Sequence, residues 1–271
     1  MINPVSIFNR RNRILLRELV ITDFKLRYQG SVLGYLWSLL KPLLLFTILY
    51  LVFVRFLRFG SDVEHFPVYL LLGLVLWTFF HEATSQGLNS IVGRSDLLRK
   101  VSLPKYIIVV ASSISALINL AINLGVVAIF MAINRVELKA TALYLPLNIL
   151  ELYILALALA FLLSAVMVKY RDVGYIWEVI LQALFYATPI IYPISMVMAQ
   201  SETAAKVLLL NPVAQIFQDA RYNLVSHQAV RTHDLVSNPY IASIPYVIVV
   251  GLIIIASLYF QSKSKHFAEE I

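Results

Sequence analysis

Three stretches with no charged residue, 106–134, 179–201 and 235–262, constrain this chain more than any other feature. Roughly 20 consecutive apolar residues let a helix cross the hydrocarbon core, where no water can satisfy an open backbone. Each stretch exceeds that length. Composition agrees: 60% of residues are hydrophobic and 14% charged, against about 25% charged in a typical soluble domain. The pattern predicts an all-α polytopic membrane protein with six transmembrane helices, over about 33–54, 66–89, 106–133, 143–168, 175–198 and 240–261. An even number of crossings leaves both termini on one side. Fifteen of the 22 Lys and Arg residues fall on that side, from Arg10, Arg11 and Arg13 through Lys41, Lys105 and Lys169 to Lys263 and Lys265. Seven, including Arg55, Arg135 and Arg221, fall on the other. The positive-inside bias then makes both termini cytoplasmic. It also assigns the net charge of +7 to the inner membrane face and its anionic lipid, not to nucleic acid.

Before the first span, Phe8, Leu15, Leu16, Leu19, Val20 and Leu26 share one arc of a helix, and Arg10, Arg11, Arg13, Arg17, Glu18 and Lys25 share the other. Asp23 interrupts the apolar arc; Ile14 and Ile21 interrupt the polar one. A helix of this kind lies in the interface and does not cross it. The domain expectation is one transmembrane unit over 1–271, with an interface helix in 1–30, a six-span bundle in 31–262 and a cytoplasmic tail in 263–271. The N-terminal residues carry no compact apolar core followed by a small-residue cleavage site, so no removable signal peptide is expected.

The fifth span is irregular. "YATPIIYPISM" sets Pro189 and Pro193 four residues apart. Each proline removes a helical hydrogen bond, and in lipid the freed carbonyls need partners from protein or a wet cavity. Beyond it, Asn211 and Pro212 form a cap and first-turn pair. Val213, Ile216, Phe217 and Leu224 then line one face of a helix too polar to span, read as a short outer-face or re-entrant helix.

Several chemistries are missing. Gly-Lys occurs nowhere, so the chain has no Walker-type phosphate loop. "HEATS" stops short of a zinc-binding HExxH, there is no Gly-x-Ser-x-Gly elbow, and there are no cysteines. No catalytic residue and no metal site is expected. Glu82, Glu151 and Glu178 are acidic residues inside spans, read as structural partners in the bundle more readily than as a proton relay. The inner loop "GRSDLLRKVSLPKY" predicts a short helix capped by Ser95, with Leu97, Leu98 and Val101 apolar amid Arg94, Asp96, Arg99 and Lys100, and with Pro104 opening the next span. Such a helix suits a groove on a partner protein or a bed of lipid headgroups. Tyr35, Trp37 and Tyr50 on span one, with Phe185, Tyr186 and Tyr192 on span five, either line a path for sugar rings or form interfacial belts and packing.

Four stretches, "DFKLRYQGSVLGYLWSLLKPLL", "LLGLVLWTFFHEATSQGLNSIVGRSDLLRKVSLPKYI", "KYRDVGYIWEVILQALFYATPIIYP" and "NPVAQIFQDARY", together resemble the ABC-2 type membrane subunits that export O-antigen, capsule and teichoic-acid polysaccharides. The resemblance implies a homodimer in the bacterial inner membrane with two copies of a cytoplasmic ABC ATPase, which would carry ATP and Mg; the chain itself would hold no cofactor. It implies a lipid-linked glycan as cargo. It implies a coupling helix over Arg94 to Pro104, with Asp96, Leu97, Leu98, Arg99 and Lys100 facing the ATPase. It implies an interface helix carrying Arg17, Lys25, Arg27 and Tyr28, and an outer gate of Pro189, Pro193, Asn211 and Pro212. The path would be lined by Tyr35, Trp37, Tyr50, Phe185, Tyr186 and Tyr192. Gly30 and Gly34 would permit the turn from surface helix to span, and Lys41-Pro42 would bend that span beside a wet conduit. Exporters of small amphiphiles or lipo-oligosaccharides share the six-span plan. An ion-coupled secondary transporter would need mid-membrane acids, of which the chain offers few.

Overall fold

A computed structural model describes residues 10–60, 63–100 and 103–267; Phe8, Val101 and the side chains of Arg27 and Tyr28 lie outside the described residues. All regular secondary structure of the described residues is helical, with no strand among them. A surface helix, Arg10–Tyr28, leads to Gly30 and Gly34, whose φ angles of 79° and 48° belong to the left-handed region that glycine enters without strain. Those two residues turn the chain into the first span, Gly34–Phe56, which begins as a 3-10 turn, runs α-helical over Trp37–Leu49 and ends π-helical over Tyr50–Phe56.

The second span, Phe66–Ser90, is the central post. It packs on the third, Lys105–Ile133, and on the fourth, Ala140–Lys169; the fourth also packs on the last, Ile244–Ser264. Gly87 explains how closely posts two and four approach, since a Cβ there would lie 2.3 Å from the Cβ of Ala160. The main core runs along the second span from Phe66 to Leu88, and a smaller cluster of Ile91, Ile108, Val168, Phe260 and Phe267 closes the end of the bundle on which Leu19 of the surface helix packs.

Among the described residues, five helices are long and apolar enough to cross a membrane. The expected fifth span is not one of them. Its α-helix, Val173–Ala187, has 15 residues, about 22 Å against a hydrocarbon core of roughly 30 Å. The prolines are the reason: the helix stops before Thr188, and the next, Ile194–Gln200, starts after Pro193. Glu202–Leu209 and then Pro212–Leu224 follow, the latter capped by Asn211 Oδ1 accepting from the Val213 N–H at 3.0 Å.

Four expectations change in detail. The last span begins at Ile244, because Pro239–Ala242 forms its own turn. Ser95 is helical and not a cap; it is the first residue of Ser95–Lys100. The surface helix rests on protein as well as facing outward: Leu19 packs into the inner cluster, and Asn12 Nδ2 donates to the Tyr106 hydroxyl at 3.4 Å. The outer helix buries far more than one face, with Ala214, Gln215, Gln218, Ala220 and Arg221 enclosed beside Val213, Ile216 and Phe217.

Candidate functional site

The surface helix and the loop after span two are joined by an ion pair between Arg94 and Asp23. This explains the acid that interrupts the apolar arc. Arg94 lies in the turn Val92–Arg94; Asp96, Arg99 and Lys100 are exposed and Leu97 is half-buried. Leu98 packs against the inner cluster, so the expected apolar patch is partly spent within the chain. Pro104 is the N-cap of the third span, and Arg17 and Lys25 are exposed on the surface helix.

Beyond this junction lies a cavity of about 380 Å³ lined by Trp37, Lys41, Trp77, His81, Glu82 and Asn119, among others. Asn119 Nδ2 donates to Glu82 Oε2 at 3.0 Å, so this carboxylate is held within the bundle. Pro42 sits inside the Trp37–Leu49 helix of the first span and is buried. It has no N–H for the carbonyl four residues back, and Asn123 Nδ2 of the third span donates to that Ser38 oxygen at 3.2 Å. A second cavity, about 340 Å³, opens beside the linker between the fourth span and the Val173–Ala187 helix and is lined by Arg171, Tyr175, Trp177 and Glu178 with Ser85 and Asn89. Trp177 Nε1 donates to Thr84 Oγ1 at 3.2 Å.

The six path-assigned aromatics are not gathered within one chain. Tyr35 stacks on Phe24 of the surface helix, with ring centroids 5.0 Å apart. Trp37 lines the inner cavity. Tyr50 meets Phe46 at 5.8 Å and lies beneath the Arg55 guanidinium. Phe185 packs edge-on to Trp77 at 5.6 Å and to Tyr186 at 5.3 Å, while Tyr186 itself is exposed. The Tyr192 hydroxyl donates to the Tyr186 carbonyl at 2.9 Å, replacing an amide lost where the helix stops.

Arg221 is the residue that sequence reasoning missed. Counted among outer loop charges, it is fully buried. Its Nη1 donates to the Pro189 carbonyl at 2.5 Å and to Gln218 Oε1 at 3.0 Å, its Nη2 to the Ile190 carbonyl at 3.0 Å, and its Nε to the Tyr69 carbonyl at 3.2 Å. The guanidinium lies 3.6 Å from the centroid of the Tyr69 ring, and the Tyr69 hydroxyl donates to the same Gln218 oxygen at 2.9 Å. Pro193 cannot give the Pro189 carbonyl its helical partner; the guanidinium does. The signal was present: Arg221 follows Val213 and Phe217 at four-residue steps along an apolar face. Nearby, Gln215 Nε2 donates to Asp219 Oδ2 at 2.6 Å and to the Tyr246 hydroxyl at 3.1 Å, and burial pushes the Asp219 carboxyl above its ordinary value.

A broken apolar helix braced by a buried guanidinium, in a bundle of long apolar helices, belongs to a membrane protein. Residues 14–225 match the family model described as ABC-2 type transporter. The chain belongs to that family. It is therefore a multi-pass membrane permease and not itself an ATPase. The O-antigen export system permease protein RfbA of Myxococcus xanthus is 32% identical over 261 residues, 96% of either chain. Two proteins of that name from Klebsiella pneumoniae are 25% identical over 195 residues, 72% of this chain and 73% of theirs, and 24% identical over 220 residues, 81% and 82%. Within the ABC-2 frame, the match takes in the surface helix from Ile14, the inner loop, the break and the outer helix up to Val225.

Proposed function

We propose that this chain is the permease subunit of an ATP-driven exporter that carries an O-antigen-type polysaccharide, linked to lipid, from the cytoplasm across the bacterial inner membrane. The observation that carries the reading is the end-to-end similarity to an O-antigen export permease, 32% over 96% of both chains. The ATPase resides on a separate cytoplasmic subunit, present in two copies with ATP and Mg and seated against the exposed Asp96, Arg99 and Lys100, on the side of the membrane that also holds both termini. The permease is a homodimer. In support, only 11% of the apolar window of the first span is buried in one chain, which leaves a face for lipid or a second copy. The unit is one transmembrane domain: an interface helix in 1–30, the bundle in 31–262, and a tail in 263–271. Arg17, Lys25, Arg27 and Tyr28 belong to the interface helix, and Pro189, Pro193, Asn211 and Pro212 to the outer gate. Trp37 and the exposed Tyr186 offer ring faces to passing sugars, while lysine, carboxylate and amide groups of the inner cavity offer hydroxyl partners. Glu82 acts in this lining and not in ion coupling, in keeping with its hydrogen bond from Asn119.

Deleting the gene in its own host should remove the surface polysaccharide ladder seen by electrophoresis, and the tagged chain should restore it and copurify with a nucleotide-hydrolysing subunit. An unchanged ladder on deletion, or export that continues in ATP-depleted cells under an imposed ion gradient, would overturn the reading.

A further inference from the structure

The two prolines of the break stand in an i, i+4 relation, so Pro193 is the residue whose amide an unbroken helix would aim at the Pro189 carbonyl. That carbonyl and the next, on Ile190, are both taken by Arg221 from the outer helix, at 2.5 and 3.0 Å. A guanidinium has five N–H donors in a fixed planar fork, and four of the bonds they make here are accounted for. They end on three different pieces of chain: the break, the outer helix through Gln218, and the outer end of the second span through Tyr69. The charge is buried with carbonyl dipoles, an amide oxygen and a ring face around it. A buried cation held this way is costly to release, because each broken bond leaves a desolvated group behind. Gly73 completes the berth, since a Cβ there would lie 2.3 Å from Nη2. Thr188 and Asn211 add a side-chain hydrogen bond of 3.5 Å between break and outer helix.

We infer that Arg221 is the positioning residue of the outer gate: it pins residues 188–193, the helix Pro212–Leu224 and the outer end of the second span into one body that stays together through the transport cycle. The fifth span does not straighten into a continuous helix. The outlet opens by movement of this body against the more exposed Val173–Ala187 helix and the first span. The inference rests on the export reading, and the experiment separates the two.

The chain has no cysteine and Ile190 is fully buried, so Ile190→Cys reports alone on the break. A membrane-impermeant maleimide is applied to intact cells carrying the whole exporter, with turnover running or arrested by vanadate. Labelling should differ by less than about twofold between those states, because protection follows local opening. Arg221→Met should speed it by about tenfold or more, and Arg221→Lys should fall between, since one ammonium cannot bridge both carbonyls. Ala165→Cys, buried in the inner cluster, should stay protected in every background. The pin is overturned if turnover alone exposes Ile190→Cys by about tenfold, or if Arg221→Met leaves it protected. Loss of the ability of the wild-type chain to restore surface polysaccharide would instead defeat the export reading, while the labelling ratio between Arg221 variants would still decide the pin.

Discussion

Pro42 and Pro193 each leave a carbonyl without its helical amide, and the chain answers them differently. At Pro42 the orphan is the Ser38 oxygen, a neutral asparagine from the third span supplies one N–H at 3.2 Å, and the helix continues. At Pro193 the orphan is the Pro189 oxygen, a charged fork supplies that bond and another to Ile190, and the helix stays broken. One missing amide can be patched without changing the path of the chain. Two prolines four apart remove consecutive turns of the ladder, and only a donor that grips neighbouring carbonyls holds the resulting geometry in a low-dielectric setting. The irregularity at Pro42 lines a cavity; the one at Pro193 leaves the helix interrupted.

The brace at Pro189 is most sensitive to a change at Gly73. Gly73→Ala places a methyl where the guanidinium lies and should cost about 2–4 kcal/mol by overpacking and displacement of a buried charge. Thermal unfolding in detergent reads this, and Gly125→Ala, which meets nothing within 4 Å, is the control. A smaller effect belongs to the inner patch. Asn123→Ala should cost about 1–2 kcal/mol by orphaning the Ser38 carbonyl. In a Pro42→Ala background, which restores that carbonyl's own amide, the loss should shrink by about half, a coupling that a double-mutant cycle measures. Additive losses would mean that Asn123 acts elsewhere. Smaller again is Tyr192→Phe, which deletes the donor to Tyr186 and should lower stability by about 0.5–1.5 kcal/mol. Tyr186→Ala, on an exposed ring, should slow export with less effect on stability.

The least effect is a pH dependence beside the outer helix. Burial raises the Asp219 carboxyl above its ordinary value of 3.8, so the folded protein favours the protonated form. That contribution is complete below the ordinary value and is lost as pH rises through the raised one. Asp219→Asn keeps an oxygen for Gln215 and should therefore melt about 1–3 °C above the parent at pH 7, with the gap closing toward pH 4. A gap that widens on acidification would reverse the sign.

Legibility varied by the kind of question. The limits of spans two and three were readable because apolar runs are local. Burial was not. The first span has mean hydropathy 2.0 and 11% of its window buried, the second 1.4 and 78%. In lipid both faces of an apolar helix are already solvated by hydrocarbon, so hydropathy reports insertion and not which helix forms the centre. Small and polar residues mark the post instead: Gly73 admits Arg221, Gly87 admits Ala160, and Thr84 receives Trp177. Asp23 read as a flaw in an amphipathic face and is the partner of Arg94. Leu98 read as part of a free patch and packs inward. Among the aromatics, residue type and span position could not separate Tyr192, which braces the break, from the exposed Tyr186.

By itself the sequence determined that the chain enters lipid as helices and which carbonyls would lose their amides, because both follow from covalent facts within a few residues. Only the tertiary structure decided what would replace those amides. The donors come from 85 residues away at Ser38 and 32 away at Pro189, and a buried donor is chosen by which side chain the packing brings within about 3 Å, which no local pattern specifies.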